Sequence, residues 1–130
     1  LEVVVKIQVI DPPRVFMVGN AEKFPMRDCA RVQLDPDEQV TFVTEAGAEY
    51  DLARKDWGFY ATPSLNGRLA SFGLHPVLVK NPSGRFFLLL VERGKEVLFD
   101  AYIASEGLDL VAWLDTSERL TELEGALRGR

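Results

Sequence analysis

After Arg85 the chain runs Phe86-Phe87-Leu88-Leu89-Leu90-Val91 without one polar side chain. In a strand, successive side chains point to opposite faces, so such a run is stable only where both faces are covered. Gly94 breaks the run, and Asn81-Pro82-Ser83-Gly84 is a turn ahead of it. The segment therefore predicts a central strand over 85–93. The rest of the fold has to be arranged around it.

Upstream, the period is two. Leu1, Val3, Val5, Ile7 and Val9 alternate with Glu2, Lys6 and Gln8, the pattern of a half-buried strand over 1–10. Asp11-Pro12-Pro13 ends it, because proline has no amide for a ladder. A short strand over 14–18 follows, stopped by Gly19-Asn20 and placed to form a hairpin with the first. Residues 21–28 read as loop. Strands over 29–34 and 39–44 flank Asp35-Pro36-Asp37-Glu38, where Pro36 supplies the fixed φ of a type I turn, and this is the clearest hairpin of the first half. Glu45-Ala46-Gly47 is a further turn, and 48–52 and 57–61 are short strands.

From Ser64 to about Phe72, Leu65, Leu69 and Phe72 fall on one helical face, with Gly73 able to end the helix in the left-handed conformation. Gly67 inside that stretch leaves an irregular binding loop as the alternative. A strand over 75–80 precedes the apolar run. An amphipathic helix over 95–105 is expected to bury Leu98, Phe99, Tyr102 and Ile103. A strand over 108–114 comes next. Asp115, with Glu118 three residues on, looks like the cap of a last helix over 117–128 that buries Leu120, Leu123 and Leu127. The connection between strands 85–93 and 108–114 is long enough for a parallel, right-handed crossover. The expectation is a single-domain α+β fold over 1–130, with a largely antiparallel or mixed β-sheet and two C-terminal helices: a β-rich N-terminal half, then β-β-α-β-α.

Composition removes several chemistries. The 130 residues include one cysteine, Cys29, and one histidine, His75. No internal disulfide, zinc ribbon or two-histidine metal centre can be built, so no metal or cofactor is expected. The single cysteine fits a reducing cytosol, and Cys29 reads as a small buried hydrophobe. The charges Glu2 and Lys6 interrupt the apolar start, which is not the core of a signal peptide, and no apolar run reaches the roughly 20 residues of a membrane span. A cytoplasmic location and no membrane partner are expected. A net charge of −5 argues against nucleic acid. Yet residues 53–95 hold seven basic residues against two acidic ones. Either they form a solvated surface, or their field favours an anion.

Residues 57–68 are the best candidate for a ligand site. In a strand, Trp57 and Phe59 point to one side and Tyr60 and Thr62 to the other. The first pair reads as core. On the other face Tyr60 is placed to stack on a ring, Thr62, Ser64 and Asn66 to bond ligand hydroxyls, and Arg68, with Lys80 or Arg54, to hold a phosphate. The structural alternative is that Thr62 and Ser64 only satisfy a turn. His75 is the sole candidate general base, and the weak carboxylate candidates are Glu49, Asp51 and Asp56. Glu49 and Asp51 share a strand face by their spacing, which suits an acid/base pair or a cation but equally a solvated surface.

The stretch Gly58-Phe59-Tyr60-Ala61-Thr62-Pro63-Ser64-Leu65-Asn66-Gly67-Arg68-Leu69, then Phe72-Gly73-Leu74, Val79-Lys80-Asn81, Leu90 through Glu96 and Trp113-Leu114-Asp115, carries a resemblance over residues 57–115. It resembles small uncharacterised bacterial proteins associated with surface-polysaccharide and nucleotide-sugar gene clusters. That resemblance implies a context, not a mechanism or catalytic residues. Three functions are expected in turn. The first is a small binding or accessory protein for an anionic metabolite, such as a nucleotide-sugar. The second is a protein-interaction or homo-oligomerisation module without catalytic activity. The third is a small lyase, isomerase or hydrolase using His75 with a nearby carboxylate.

Overall fold

Proline and glycine punctuation divides the chain into eight strands and three helices among the residues that the computed structural model describes, 6–19 and 22–129. The expected strand over 1–10 lies outside that range for its first five residues. The strands form three separate antiparallel sheets. The fold is α+β, rich in strand at its N-terminal end, with helices gathered toward the C-terminus.

The first sheet is a long two-stranded ribbon, β1 (Lys6–Val18) against β2 (Phe24–Gln33). Asp11-Pro12-Pro13 does not end β1. The ladder shifts register between Val9 and Arg14, absorbing the two prolines as an irregularity while the strand continues. The described part of the expected hairpin, 6–10 with 14–18, is therefore one strand, and most of the expected loop over 21–28 belongs to its partner. The register places Ile7, Val9, Phe16 and Val18 opposite Val32, Ala30, Met26 and Phe24. These share one apolar face, and the ion pair Arg14–Asp28 at 3.3 Å sits midway along it. No described residue of either strand is buried.

Buried Leu34 leads from the ribbon into the body. The turn at Asp35–Glu38 forms, with the Glu38 N–H donating to Asp35 O at 3.1 Å. It does not join a hairpin, however: β2 pairs with β1, while β3 (Gln39–Val43) pairs with β4 (Glu49–Lys55) around Gly47. β5 (Gly58–Tyr60) completes this second sheet in the order β3-β4-β5. The stretch after it is a single helical turn, α1 (Arg68–Ser71), shorter than the spacing of Leu65, Leu69 and Phe72 predicts. The Ser64 hydroxyl accepts from the Arg68 N–H at 2.8 Å, and Gly73, at φ 87°, turns the chain into the third sheet.

That sheet holds β6 (Leu74–Lys80), β7 (Phe86–Glu92) and β8 (Asp109–Trp113) in the order β7-β6-β8. Here the expectation drawn from the apolar run is corrected. β6 is central and β7 is an edge. β7 and β8 do run parallel, but they do not pair, because β6 lies antiparallel between them. Pro76 is tolerated in this central strand because its backbone contributes the acceptor alone: Pro76 O takes the Leu114 N–H at 2.9 Å.

α2 (Glu96–Glu106) covers one face of the sheet and ends at Gly107 in the left-handed conformation. Beneath it lies a cluster of Val77, Val79, Val91 and Phe99, flanked by Leu89, Ile103, Leu108 and Trp113. Of the helix residues expected inside, Phe99 and Ile103 pack there, whereas Leu98 and Tyr102 are exposed. On the other face, Ala48, Leu69 and Leu74 form a second cluster with Tyr50, Leu65 and Leu90. α3 (Ser117–Leu127) is capped by Thr116, whose hydroxyl accepts from the Arg119 N–H at 3.1 Å, not by Asp115. It buries none of its residues, and Leu127 stands 77% exposed.

Candidate functional site

The two-residue turn between β4 and β5 presents the aromatic segment. Trp57 is 66% exposed and Phe59 56%, so the expectation that these two rings are core is overturned. Trp57 meets Tyr60 edge-on, with ring centroids 5.7 Å apart. The strand period does separate their surroundings. Trp57 and Phe59 line a groove of about 790 Å³ between the second sheet and the open end of the ribbon, with Ile7, Val32 and Leu34. Tyr60 instead lines a notch of about 410 Å³ with Gln39, Asp51, Ala53, Thr62, Pro63, Ser64 and Arg68.

Four of the expected ligand-binding residues, Tyr60, Thr62, Ser64 and Arg68, thus share the notch. Three others do not. Asn66 points away, its amide donating to the Ser117 hydroxyl at 3.1 Å and tying α3 to the body. Lys80 sits over the Phe86 ring, 5.6 Å from its centroid, at the far end of the third sheet. Arg54 lines the larger groove, and its guanidinium donates to Leu34 O at 2.5 Å and Lys55 O at 3.0 Å. There it braces the ribbon's exit.

Sequence reasoning missed the partner of Arg68. Asp51 is buried, and its carboxylate accepts from the Arg68 Nη2 at 2.5 Å and from the Thr41 hydroxyl at 2.9 Å. Thr41 sits opposite Asp51 on β3, so the sheet register itself delivers that donor. Two charge-assisted bonds hold the buried carboxylate. An incoming phosphate would compete with Asp51 for Arg68. Thr62 is likewise engaged, its hydroxyl donating to Pro63 O at 2.9 Å. Lys55 donates to Asp37. That hydrogen bond, with the negative charge behind it, raises the Lys55 ammonium above its ordinary 10.5. Of the basic groups of residues 53–95, Arg54, Lys55, Arg68 and Arg93 bond to separate partners and Lys80 lies over a ring, so these five do not converge on one anion site.

His75 is found with a different carboxylate from those expected. Its Nδ1 lies 2.7 Å from the Asp115 Oδ2, while Arg93 Nε–H faces its Nε2 at 3.4 Å and Trp113 packs edge-on. Asp51 is committed in the notch, Asp56 lines the large groove, and Glu49 lies at the end of β4 opposite Val43. Both ring nitrogens of His75 have neighbours on the protein, and the Nδ1–carboxylate contact clamps β6 to the start of α3; the carboxylate that orients this imidazole is Asp115, not Glu49, Asp51 or Asp56. Cys29 is exposed, correcting its expected burial. Among the described residues no three histidine, cysteine, aspartate or glutamate side chains converge as a metal site, and no helix is long and apolar enough to cross a membrane.

Comparison with protein-family models, with curated proteins and with solved structures returns no match.

Proposed function

We propose that this chain is a protein-interaction module that works by self-association rather than by catalysis. One observation carries the reading. The chain exposes 9358 Å² of surface, against about 6,900 Å² for a compact monomer of its 14.6 kDa. The excess of about 2,500 Å² is about three times the roughly 800 Å² that each partner contributes to a standard interface. It is apolar in large part: the ribbon face, α3 and β7 all leave large hydrophobic side chains in solvent. Isolated two-stranded ribbons are marginal in water, so one with no buried residue gains its stability from a surface laid against it. Light scattering across micromolar concentrations tests the reading. A mass above that of one chain is expected; a monomer at every concentration refutes it.

A second reading is favoured by the convergence of Tyr60, Thr62, Ser64 and Arg68 on one notch. With Asp51 and Gln39 beside the Tyr60 ring, the notch offers both acceptors and donors, which suits a hydroxyl-rich ring such as the sugar of a nucleotide-sugar. The committed Arg68 makes it a poorer cradle for the phosphates. A melting-temperature series with free sugars and nucleotide-sugars tests this: at 100 times the dissociation constant a ligand adds about 2.7 kcal/mol. No shift with either class removes the reading.

A further inference from the structure

We infer that β7 is the docking edge for a second copy of this chain, the two strands joining antiparallel across a two-fold axis into one continuous sheet. The inference rests on the self-association proposed above and names its surface. The hydrogen-bond ladder identifies the free groups. At one end of the β6–β7 pair the Asn81 N–H donates to Arg85 O, and at the other the Arg93 N–H donates to Gly73 O, each at 2.8 Å. Antiparallel bonding alternates along a strand, so Phe87, Leu89 and Val91 exchange bonds with Val79, Val77 and His75. The backbone N–H and C=O of Phe86, Leu88 and Leu90 then point away from β6, to an edge that no strand covers among the described residues.

Exposed edges are ordinarily blunted by charge, proline, bulges or short length. The opposite edge of the same sheet has three of these devices. β8 is five residues long, starts at Asp109, and bulges at Val111, where the register with β6 slips between Leu78 and Val79. β7 has neither proline nor a bulge, and its one charge is the terminal Glu92: from Phe86 to Val91 it is apolar and regular. Its first three side chains are exposed as well, Phe86 at 58% and Phe87 and Leu88 at 45% each, on both faces of the sheet, Phe87 lining a cavity of about 360 Å³ beside Val18, Phe24 and Met26 of the ribbon. A second copy on this edge would bury them.

The register follows from the same alternation. Only outward-pointing residues can exchange bonds across the new edge, so even-numbered positions meet even-numbered positions. With the axis at Leu88, that residue meets its own copy and Phe86 meets Leu90, an all-apolar set. With the axis at Leu89, Phe86 would face Glu92 and Arg85 would face Arg93, which is unfavourable. With the axis at Phe87, Leu90 would face Gly84, outside the strand, so the axis at Leu88 is the one that pairs all three outward apolar residues within β7.

Sedimentation equilibrium on the chain and on Leu88→Pro, combined with amide hydrogen exchange on the unaltered chain, tests the inference. Proline at position 88 removes an outward N–H and leaves the bonds to β6 intact. The unaltered chain is expected at twice 14.6 kDa and the variant, with unchanged circular dichroism, at once that mass. In the unaltered chain the amides of Phe86, Leu88 and Leu90 should exchange as slowly as those of Phe87 and Leu89, although no strand among the described residues offers them an acceptor. An associated chain whose folded Leu88→Pro variant stays associated, or whose even-numbered amides exchange fast, overturns the β7 pairing and leaves self-association through the ribbon or α3. A monomer with fast even-numbered amides overturns both and leaves the edge to an extended segment of another protein. Should Leu88→Pro not fold, the exchange pattern decides alone.

Discussion

At the scale of single residues, the polar side chains of highest interest are engaged with one another. In the neutral His75 ring, Arg93 Nε–H facing Nε2 and Asp115 facing Nδ1 select one tautomer, with the proton on Nδ1 donating to the carboxylate. Long-range ¹H–¹⁵N correlation spectra of the imidazole should show Nδ1 protonated; the opposite tautomer would leave Nε2 as a donor and break the clamp. Thr41→Val removes one of the two donors to the buried Asp51 carboxylate and should cost about 1 kcal/mol in urea unfolding. The Lys55–Asp37 pair makes a prediction about pH. Because the folded ammonium is raised above 10.5, its contribution is complete below that value and is lost as pH rises through the folded value. Asp37→Asn should therefore lower the Lys55 titration point, read from side-chain ¹⁵N shifts, without changing the shape of the stability profile between pH 5 and 9.

At the scale of elements, α1 is one turn long and yet anchors the second cluster through Leu69, which is fully buried between β4 and β6. Leu69→Ala should destabilise by about 2–5 kcal/mol, because the turn is pinned by Ser64 and Gly73 and cannot collapse onto the cavity. An equal truncation at Leu127, on the unpacked face of α3, should leave the monomer's stability within about 0.5 kcal/mol, so a larger effect would reveal a covered helix. The same contrast explains what the sequence made legible. The β-β-α-β-α order of the second half and the turns at Gly47, Gly84 and Gly107 follow from local rules of period and backbone freedom. Strand partners do not. Pro36 correctly announces a reversal, but nothing local tells β2 to choose β1 over β3. Asp11-Pro12-Pro13 reads as an end because a proline cannot donate, whereas a ribbon lacking further strands on either side has outward positions where no donor is needed. Of the candidate site, Tyr60 to Arg68 was legible as contiguous sequence, while Asp51 and Thr41 reach Arg68 only through the β3–β4 register. Trp57 and Phe59 read as core because they are apolar and share a strand face, but that face borders a solvent-open groove and not a packed layer.

At the scale of the molecule, the two clusters lie on opposite faces of β6, and they are small for 130 residues. The apolar surface that would ordinarily enlarge them is spread over the ribbon, α3 and β7. Unfolding should then depend on protein concentration, the melting temperature rising as the chain is concentrated through its association range. A melting temperature independent of concentration over two decades would mean that the chain is stable without a partner.

The difference between the two margins of the third sheet also governs how far growth can proceed. Pairing β7 with its own copy consumes both unprotected edges at once, and what remains outermost on either side is β8, with Asp109 and the Val111 bulge. Such a contact would be isologous, and through this edge the assembly would close at two. Were the bulge at Val111 removed and Asp109 made apolar, β8 would become a second receptive margin. Head-to-tail addition of β7 to β8 would then have no point at which to stop, and the same sheet that terminates as a pair would polymerise into fibrils.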